Sequence, residues 1–347
     1  MKGYIPEDRI EEVRNRINIV DLVSEYVTLK KAGRNYLGSC PFHKEKTPSF
    51  TVNAEKQIYH CFGCGEGGNV FSFLMKIDNM TFPEAVRHLA GKLGIALPAR
   101  DFTPEEKSRH DSRESLVRVN RVAAAFYAKM LQTAAGSGGR AYLERRGLRP
   151  AVVDAFRLGY APEGWRALRD HLQRERIALK HAEQAGLLVP RGDGDAYDRF
   201  RGRLMFPIED IHGNVIAFGG RIIGEGEPKY LNSPESALYV KGRHLYGLSR
   251  AKNAIRKDET LIIVEGYFDL LALWNAGIAN VAATLGTALT REQVDIIRRY
   301  TASVAVTFDT DAGGKAALER SMSLFLERGL KARAVVLPDG KDPDEFV

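Results

Sequence analysis

The chain has three cysteines, and all three fall, with one histidine, into two pairs of identical internal spacing. Cys40-Pro-Phe-His43 is followed, after seventeen residues, by Cys61-Phe-Gly-Cys64. Two ligand pairs, each with two intervening residues, match the spacing of a tetrahedral Cys3His zinc site. An odd, clustered set in a chain with no secretory signal argues against a disulfide framework. Gly63 and Gly65 flank Cys64 and permit left-handed backbone in the second turn. Cys40, His43, Cys61 and Cys64 are therefore the expected ligands of Zn2+. Four protein ligands leave no open position, so the expected role is structural. Basic and aromatic residues interleave around the pairs: Lys30, Arg34, Tyr36, Lys46, Lys56, Tyr59, His60 and Phe62. On a small sheet such a set can track phosphates and stack bases, or half of its aromatics can fill a small core.

At 347 residues the chain has room for two to three domains. No run approaches the roughly 18 apolar residues of a membrane span. The start, MKGYIPEDRIEEVRNRIN, lacks the apolar stretch of a signal peptide, so a cytoplasmic location is expected. The net charge of +7 is unevenly spread. From Asp198 to Lys257 there are 11 Lys+Arg against 6 Asp+Glu; from Asp258 to Val347, 9 against 14. A basic block followed by an acidic one suits a nucleic-acid cradle beside a cation site. The same contrast also arises between ordinary solvated surfaces.

Helical spacing of Ile10, Val13, Ile17 and Val20 predicts a helix over roughly Glu7–Tyr26. A strand-rich stretch follows from Asn35 to His60, then helices near Asn69–Ile77 and Pro83–Leu93. Ala99–Ser115 is polar and reads as a linker. A helix is expected over Leu116–Leu131, closed by the glycine-rich Gly136–Gly139. Mixed, strand-containing sequence continues to about Lys257. The last 90 residues alternate: LIIV, NVAAT, SVAVTF and KARAVVL read as strands and the segments between them as helices. Short, continuously apolar strands in β-α-β order imply a parallel sheet covered by helices, which binds ligands beyond the carboxyl ends of its strands.

Acidic residues fall at three of those ends. Glu265 follows LIIV, Asp309 and Asp311 follow SVAVTF, and Asp342 and Asp344 follow KARAVVL and a short turn. Residues two apart in extended chain project to one side, so Asp309 and Asp311 can face one cation. Asp269, four residues after Glu265, is expected on the same helix face. Hard oxygen ligands select Mg2+, with Mn2+ the alternative. Two such ions about 4 Å apart activate a 3′-hydroxyl and stabilise leaving pyrophosphate. Single acidic residues at strand ends also cap helices, and Asp344 is placed to cap one starting at Glu345.

At this point the sequence resembles a family, the bacterial replicative primase. VEGYFDLLAL (Val264–Leu273) and FDTDAGGKAA (Phe308–Ala317) are similar to the two acidic motifs of its TOPRIM domain. RFRGRLMFPI, FGGRIIG, PKYLNSPES and KGRHLYGL are similar to its basic motifs, YLERRGL to the start of its catalytic core, and CPFHKEKTPSF with YHCFGCGEGGNVFSFLM to its zinc ribbon. Thr310 stands where the family often has glycine, with both carboxylates kept. The resemblance implies a multidomain α+β and α/β protein. Its expected parts are a zinc-ribbon domain at 1–100, a linker at 101–114, a mixed α+β basic subdomain at 115–258, and a TOPRIM α/β domain with a parallel sheet at 259–347. The family continues into a helical bundle and a helicase-binding region, and the chain is expected to be a truncated form lacking both.

The resemblance also implies roles. Glu265, Asp309 and Asp311 are expected metal ligands, with Asp269, Asp342 and Asp344 as further ligands or electrostatic support. Arg146, Arg201, Arg203, Arg221, Lys229 and Lys241 would hold nucleoside triphosphate and template–primer backbone, with Tyr230 and Asn232 at the incoming nucleotide. The implied activity is synthesis of short RNA primers on single-stranded DNA from ribonucleoside triphosphates, with the replicative helicase as a partner through the missing region. Two other readings stand beside it. One is a nuclease or topoisomerase with the same acidic motifs, although no tyrosine-bearing cleavage domain is recognisable. The other is a non-enzymatic zinc-ribbon DNA-binding module. A primase–helicase fusion is disfavoured, because the chain has no G-x-x-x-x-G-K-[ST] loop.

Overall fold

The expected first helix is two helices. Ile17 is extended, and Asn18 accepts a hydrogen bond from Val20 N at 2.8 Å through its side chain, so α1 (Glu7–Arg16) stops and α2 (Ile19–Ser24) starts afresh. The apolar spacing continues across the break because both pieces bury the same side: Val13, Ile19, Leu22 and Val23 all reach one core. An asparagine cap of this kind stabilises a helix start by about 1 kcal/mol, enough to fix where the chain turns.

The computed structural model describes residues 5–43, 45, 47–78, 80–97, 104–192, 194–286, 288–308, 312–338 and 342–347. The chain divides into two compact units, Met1–Glu106 and Lys107–Val347. In the first unit, β1 (Lys30–Ala32), β2 (Asn35–Gly38), β3 (Phe50–Asn53), β4 (Ile58–Cys61) and β5 (Gly67–Gly68) form an antiparallel sheet in chain order. Alternation gives it two faces. Tyr36, Val52 and Tyr59, with Phe50, turn into a core shared with α3 (Val70–Ile77) and α4 (Phe82–Leu93). Phe50 and Tyr59 stack at 5.3 Å, and Phe73 of α3 meets Tyr59 edge-on at 5.5 Å. A Thr81–Glu84 capping box opens α4, and Gly94, at φ +63°, closes it.

The helix α5 (Pro104–Leu131) crosses the division after Glu106 and, from Lys107 on, is the first element of the second unit. Helix therefore begins at Pro104 rather than at Leu116, inside the segment read as linker from its polarity; residues 101–103 lie outside the described residues. Polar residues propagate a helix well once its far end is anchored, and Leu116, Val119, Ala123 and Tyr127 supply that anchor. The glycine-rich segment is likewise mostly helical, since α6 (Ser137–Arg145) takes up Ser137 onward. After α7 (Pro150–Ala155), β6 (Gly159–Ala161), α8 (Ala167–Arg174) and α9 (Leu179–Gln184), a hairpin of β7 (Leu188–Arg191) and β8 (Asp195–Asp198) leads to the basic strands. These are β9 (Arg203–Glu209), β10 (Val215–Ile222) and β11 (Tyr230–Asn232), in an antiparallel sheet of order β11-β10-β9-β6.

After α10 (Leu248–Asp258) comes the parallel sheet: β12 (Leu261–Val264), β13 (Val281–Ala283), β14 (Ser303–Val306) and β15 (Lys331–Ala334), in the order β13-β12-β14-β15. The helices α11 (Tyr267–Asn275), α12 (Arg291–Ile297) and α13 (Ala312–Glu327) connect them, as the alternating pattern predicts, and α14 (Pro343–Phe346) ends the chain. The basic and parallel sheets do not form separate units. One apolar cluster runs from Leu116 through Phe206 and Phe218 to Val264, Tyr267 and Leu285. Burial of this seam packs the end of β12 and the start of α11 against the basic strands.

Candidate functional site

In the first unit the four expected zinc ligands converge. The ligand atoms of Cys40, His43, Cys61 and Cys64 all lie within 4.8 Å of one another. The Cys40 and Cys64 sulfurs are 3.8 Å apart, and His43 Nδ1 is 3.7 Å from Cys61 Sγ. Soft sulfur and imidazole donors at tetrahedral-edge separations fit zinc. Backbone amides already aim at the sulfurs: Phe42 N at Cys40, 3.4 Å, and Gly63 N at Cys61, 3.3 Å. Gly63 also leaves space for the histidine, because a Cβ there would sit 2.5 Å from His43 Nε2. Burial pushes the Cys40 thiol up to about 12. Burial opposes ionisation of Cys61 too, yet hydrogen bonds from Ser49, Cys64 N and Gly63 N bring it down to about 7.

Sequence reasoning missed Glu45. Its Oε1 accepts from Cys40 N at 2.7 Å and Ser49 N at 3.0 Å, while Oε2 accepts from Ser49 Oγ at 2.5 Å and lies 3.3 Å from His43 Nε2. Ser49's hydrogen bond, and then those of the backbone amides, hold this carboxyl below its ordinary range. A carboxylate on the outer nitrogen of a ligating histidine fixes ring tautomer and orientation. The only sequence signal was an acid two residues past the histidine.

The other residues noted around the zinc pairs divide by face. Tyr36 and Tyr59 fill the core. Lys30, Leu37, Thr51 and His60 are successive cross-strand partners, so they form one row on the outer face of β1 to β4. His60 packs edge-on against Phe62 at 4.7 Å, and Phe62 is 76% exposed. Lys56 and Arg34 are exposed, and Lys46 lies outside the described residues.

In the second unit, Glu265 sits directly after β12, half-buried. β14 is its hydrogen-bonded parallel neighbour, and Thr307 N donates to Ile263 O at 3.0 Å, so the two strands end on one edge. Asp309 and Asp311, with Thr310, lie outside the described residues. Asp269 is buried in the first turn of α11, and its Oδ2 accepts from Gly266 N at 2.8 Å. The helix starts at Tyr267, so Glu265 and Asp269 do not share a helix face. Asp342, not Asp344, caps the last helix, accepting from Glu345 N at 2.8 Å. Asp344 instead pairs with Arg146.

The Arg146 guanidinium lies 5.0 Å from the Phe268 ring centroid and 5.6 Å from that of Tyr142. Arg221 approaches the same two rings at 5.4 and 5.2 Å, and donates to Tyr230 Oη at 2.5 Å. Arg146, Arg221 and Tyr230 thus converge on an aromatic platform beside Asp344, near the start of α11. Cation–π support of this kind holds a guanidinium flat while leaving its donors usable. Burial raises the Tyr230 hydroxyl above its ordinary value, so it remains a neutral partner.

The remaining basic residues do not join that cluster. Arg201 lies 4.1 Å over the Trp165 ring and 5.4 Å from Tyr197, and it donates to Asp198 O. Trp165 is 59% exposed, and Tyr197 meets it edge-on at 5.2 Å. Neither aromatic was singled out from sequence. Arg203 is buried, donating to Gly220 O at 3.3 Å and Lys229 O at 3.5 Å, so its head is spent on the sheet. Lys229 is exposed at the start of β11, and Lys241 is half-buried in the turn Lys241–Arg243. Asn232 uses both polar atoms inside the protein, towards Tyr267 and Leu285.

The Glu265 carboxylate at this edge is a hard oxygen donor of the kind that fits a divalent cation of the magnesium or manganese class. No described helix is long and apolar enough to cross a membrane.

Three family models match consecutive segments: the CHC2 zinc finger over residues 5–105, the N-terminal domain of the DNA primase catalytic core over 126–252, and a Toprim-like model over 262–347. The DNA primase of Halalkalibacterium halodurans is 47% identical over 349 residues, covering 100% of this chain and 58% of that protein. The chain therefore spans less than two thirds of that relative. Its fold is similar to the crystal structure of the zinc-binding and RNA polymerase domains of Aquifex aeolicus primase (TM-score 0.64, 39% identity, 97% of this chain and 81% of that one). It is also similar to a primase catalytic domain solved with single-stranded DNA bound (TM-score 0.63, 38% identity, 69% of this chain and 75% of that one). With the zinc-finger, primase-core and Toprim-like matches in succession along the chain, and primases similar to it over nearly its whole length, the chain belongs to the bacterial DNA primase family.

Proposed function

We propose that this chain synthesises short RNA primers on single-stranded DNA from ribonucleoside triphosphates, by nucleotidyl transfer at the acidic edge of the parallel sheet. The observation that carries this reading is the joining of two chemistries in one unit. Glu265 directly follows β12, and three residues later Phe268 forms the platform for Arg146 and Arg221. An acid that gathers a cation and guanidiniums that gather phosphates are thereby held on one packed seam, as transfer of a nucleotide between two polyanions requires.

In this reading Glu265, Asp309 and Asp311 hold magnesium, with Asp342 and Asp344 at its margin. When bound there, a divalent cation lowers the pKa of the primer 3′-hydroxyl and offsets charge on leaving pyrophosphate. Arg146, Arg221 and Lys229 orient the triphosphate, and Tyr230 fixes Arg221. The Trp165–Arg201–Tyr197 surface tracks template, since an exposed indole backed by a cation stacks bases of any sequence. The outer row of the zinc unit, with His60 and Phe62, meets template through the same kind of contact, while zinc shapes the loops behind it. The nuclease and topoisomerase readings lack this support, since the primase catalytic-core model matches residues 126–252 beside the Toprim-like match over 262–347. In this reading the protein works in the cytoplasm at replication forks and contacts the replicative helicase through regions present in the longer relatives.

Incubation with single-stranded DNA, ribonucleotides and magnesium tests the proposal. Short, template-complementary RNA is the expected product; cleaved or relaxed DNA without RNA would overturn it.

A further inference from the structure

Gly219 and Asn232 are cross-strand partners in β10 and β11, and the Tyr267 hydroxyl is set down between them. A Cβ on Gly219 would lie 2.3 Å from the Tyr267 oxygen and 2.5 Å from Cζ, so only glycine leaves room for this ring. The hydroxyl donates to Asn232 Oδ1 at 2.8 Å, and Asn232 Nδ2 donates to Leu285 O at 3.0 Å. The Leu285 carbonyl fixes the amide's orientation, since a flipped amide would set oxygen against oxygen. Tyr267 is itself locked, stacked on Phe206 at 4.6 Å and edge-on to Tyr246 at 4.8 Å.

These bonds tie three segments together. Tyr267 begins α11, two residues past Glu265. Asn232 ends β11, the strand that starts at Tyr230 beside Lys229. Leu285 follows β13, where Thr284 N donates to Val264 O at 3.0 Å. We propose that Tyr267 and Asn232 are positioning residues: a buried strap that holds the Glu265 strand end at a set distance from the phosphate-gathering strand β11. Asn232 acts through Tyr267 and Leu285, and does not touch the nucleotide. The inference rests on the primer-synthesis reading, in which a cation at Glu265 and a triphosphate at β11 must meet in register. A misplacement near 1 Å at such a centre costs about 100-fold in rate.

The test compares wild type, Tyr267→Phe, Asn232→Ala and the double variant in primer synthesis with nucleotide titrated. In parallel, amide hydrogen exchange is measured on the peptide carrying Leu285. Tyr267→Phe keeps the ring and its packing, so it reports the hydroxyl alone. Each single variant is expected to lower kcat about 10-fold, with the nucleotide KM within about twofold of wild type. The double variant is expected to be no worse than the weaker single, because both cut one strap. Exchange at the Leu285 peptide should rise equally in all three. A raised KM with unchanged kcat in Asn232→Ala, an inert Tyr267→Phe, or additive losses would overturn the strap. If wild type makes no RNA, the primer-synthesis reading fails by itself. The exchange data then still decide the strap: equal increases support it, and wild-type protection in Tyr267→Phe contradicts it.

Discussion

Glu45 Oε2 stands 3.3 Å from His43 Nε2, across the ring from the nitrogen that faces Cys61 Sγ at 3.7 Å. The same carboxylate also receives the Cys40 amide, so one side chain braces two of the four ligands. Glu45→Gln is expected to weaken zinc binding about 10- to 100-fold, the usual effect of losing a carboxylate behind a ligating histidine. Competition with a chromophoric chelator measures this directly. Wild-type affinity in the variant would show that Glu45 only closes its loop.

Asp344 pairs with Arg146, which is one of the arginines expected to receive phosphate. Neutralising the acid removes both a competitor for the guanidinium and a charge that repels polyanions. Asp344→Asn is therefore expected to bind single-stranded DNA about 2- to 10-fold more tightly in EDTA, and more so at low salt. Fluorescence anisotropy of labelled DNA reads this. In magnesium the same variant should make less RNA than wild type. Weaker DNA binding in EDTA would contradict the placement of Arg146.

Trp165 is expected to stack a template base against its exposed face, with Arg201 behind it. Trp165→Ala should lower single-stranded DNA affinity by about 1–3 kcal/mol, and Trp165→Phe should recover most of that. Equal losses in the two variants would indicate that the indole supports the fold and not the template.

Much of this was legible before any coordinates, and the unread parts share physical causes. The zinc ligands were readable because metal geometry acts over two intervening residues. Glu45 was not, because its role depends on how the loop from His43 to Ser49 closes. The strands and helices after Asp258 were readable because continuous apolar runs alternate with glycine-closed helices, and Gly277 and Gly329 do take left-handed backbone, φ +92° and +75°. Trp165 was missed because its partners, Tyr197 and Arg201, are distant in sequence. Arg203 resembled Arg201 in every local respect, yet one is turned into the sheet and the other onto an indole. Tyr267 reads as an ordinary apolar helix residue, and only the pairing of β10 with β11 brings Asn232 to its hydroxyl.

Asp198 is buried, and burial raises its carboxyl to about 6 although Leu168 N and Arg169 N donate to it at 2.7 and 2.9 Å. Its folded-state pKa thus lies above the ordinary value of about 4 in an unfolded chain. The folded protein binds the extra proton, so this group favours the fold at low pH and loses that contribution as pH rises through about 4 to 6. A shift of about two units corresponds to roughly 2–3 kcal/mol. Asp198→Asn removes the titrating group but keeps an acceptor for only one of the two amides, so it should lower stability at every pH while flattening the decline across that window. Denaturant unfolding at pH 4.5 and 7.5 measures the difference. An unchanged pH slope in the variant would rule Asp198 out as its source.

The central claim is that the acidic edge of the parallel sheet performs nucleotidyl transfer while the basic strands hold nucleic acid. Glu265→Ala separates the two, since it removes a carboxylate at the end of β12 and leaves Arg146, Arg221, Lys229 and Trp165 in place. Primer synthesis and single-stranded DNA affinity measured on one preparation of this variant give the most direct test. The expected result is loss of RNA synthesis by at least about 1000-fold, in line with removing a ligand to a catalytic cation, with DNA affinity within about threefold of wild type. RNA synthesis at the wild-type rate in Glu265→Ala would place the chemistry elsewhere.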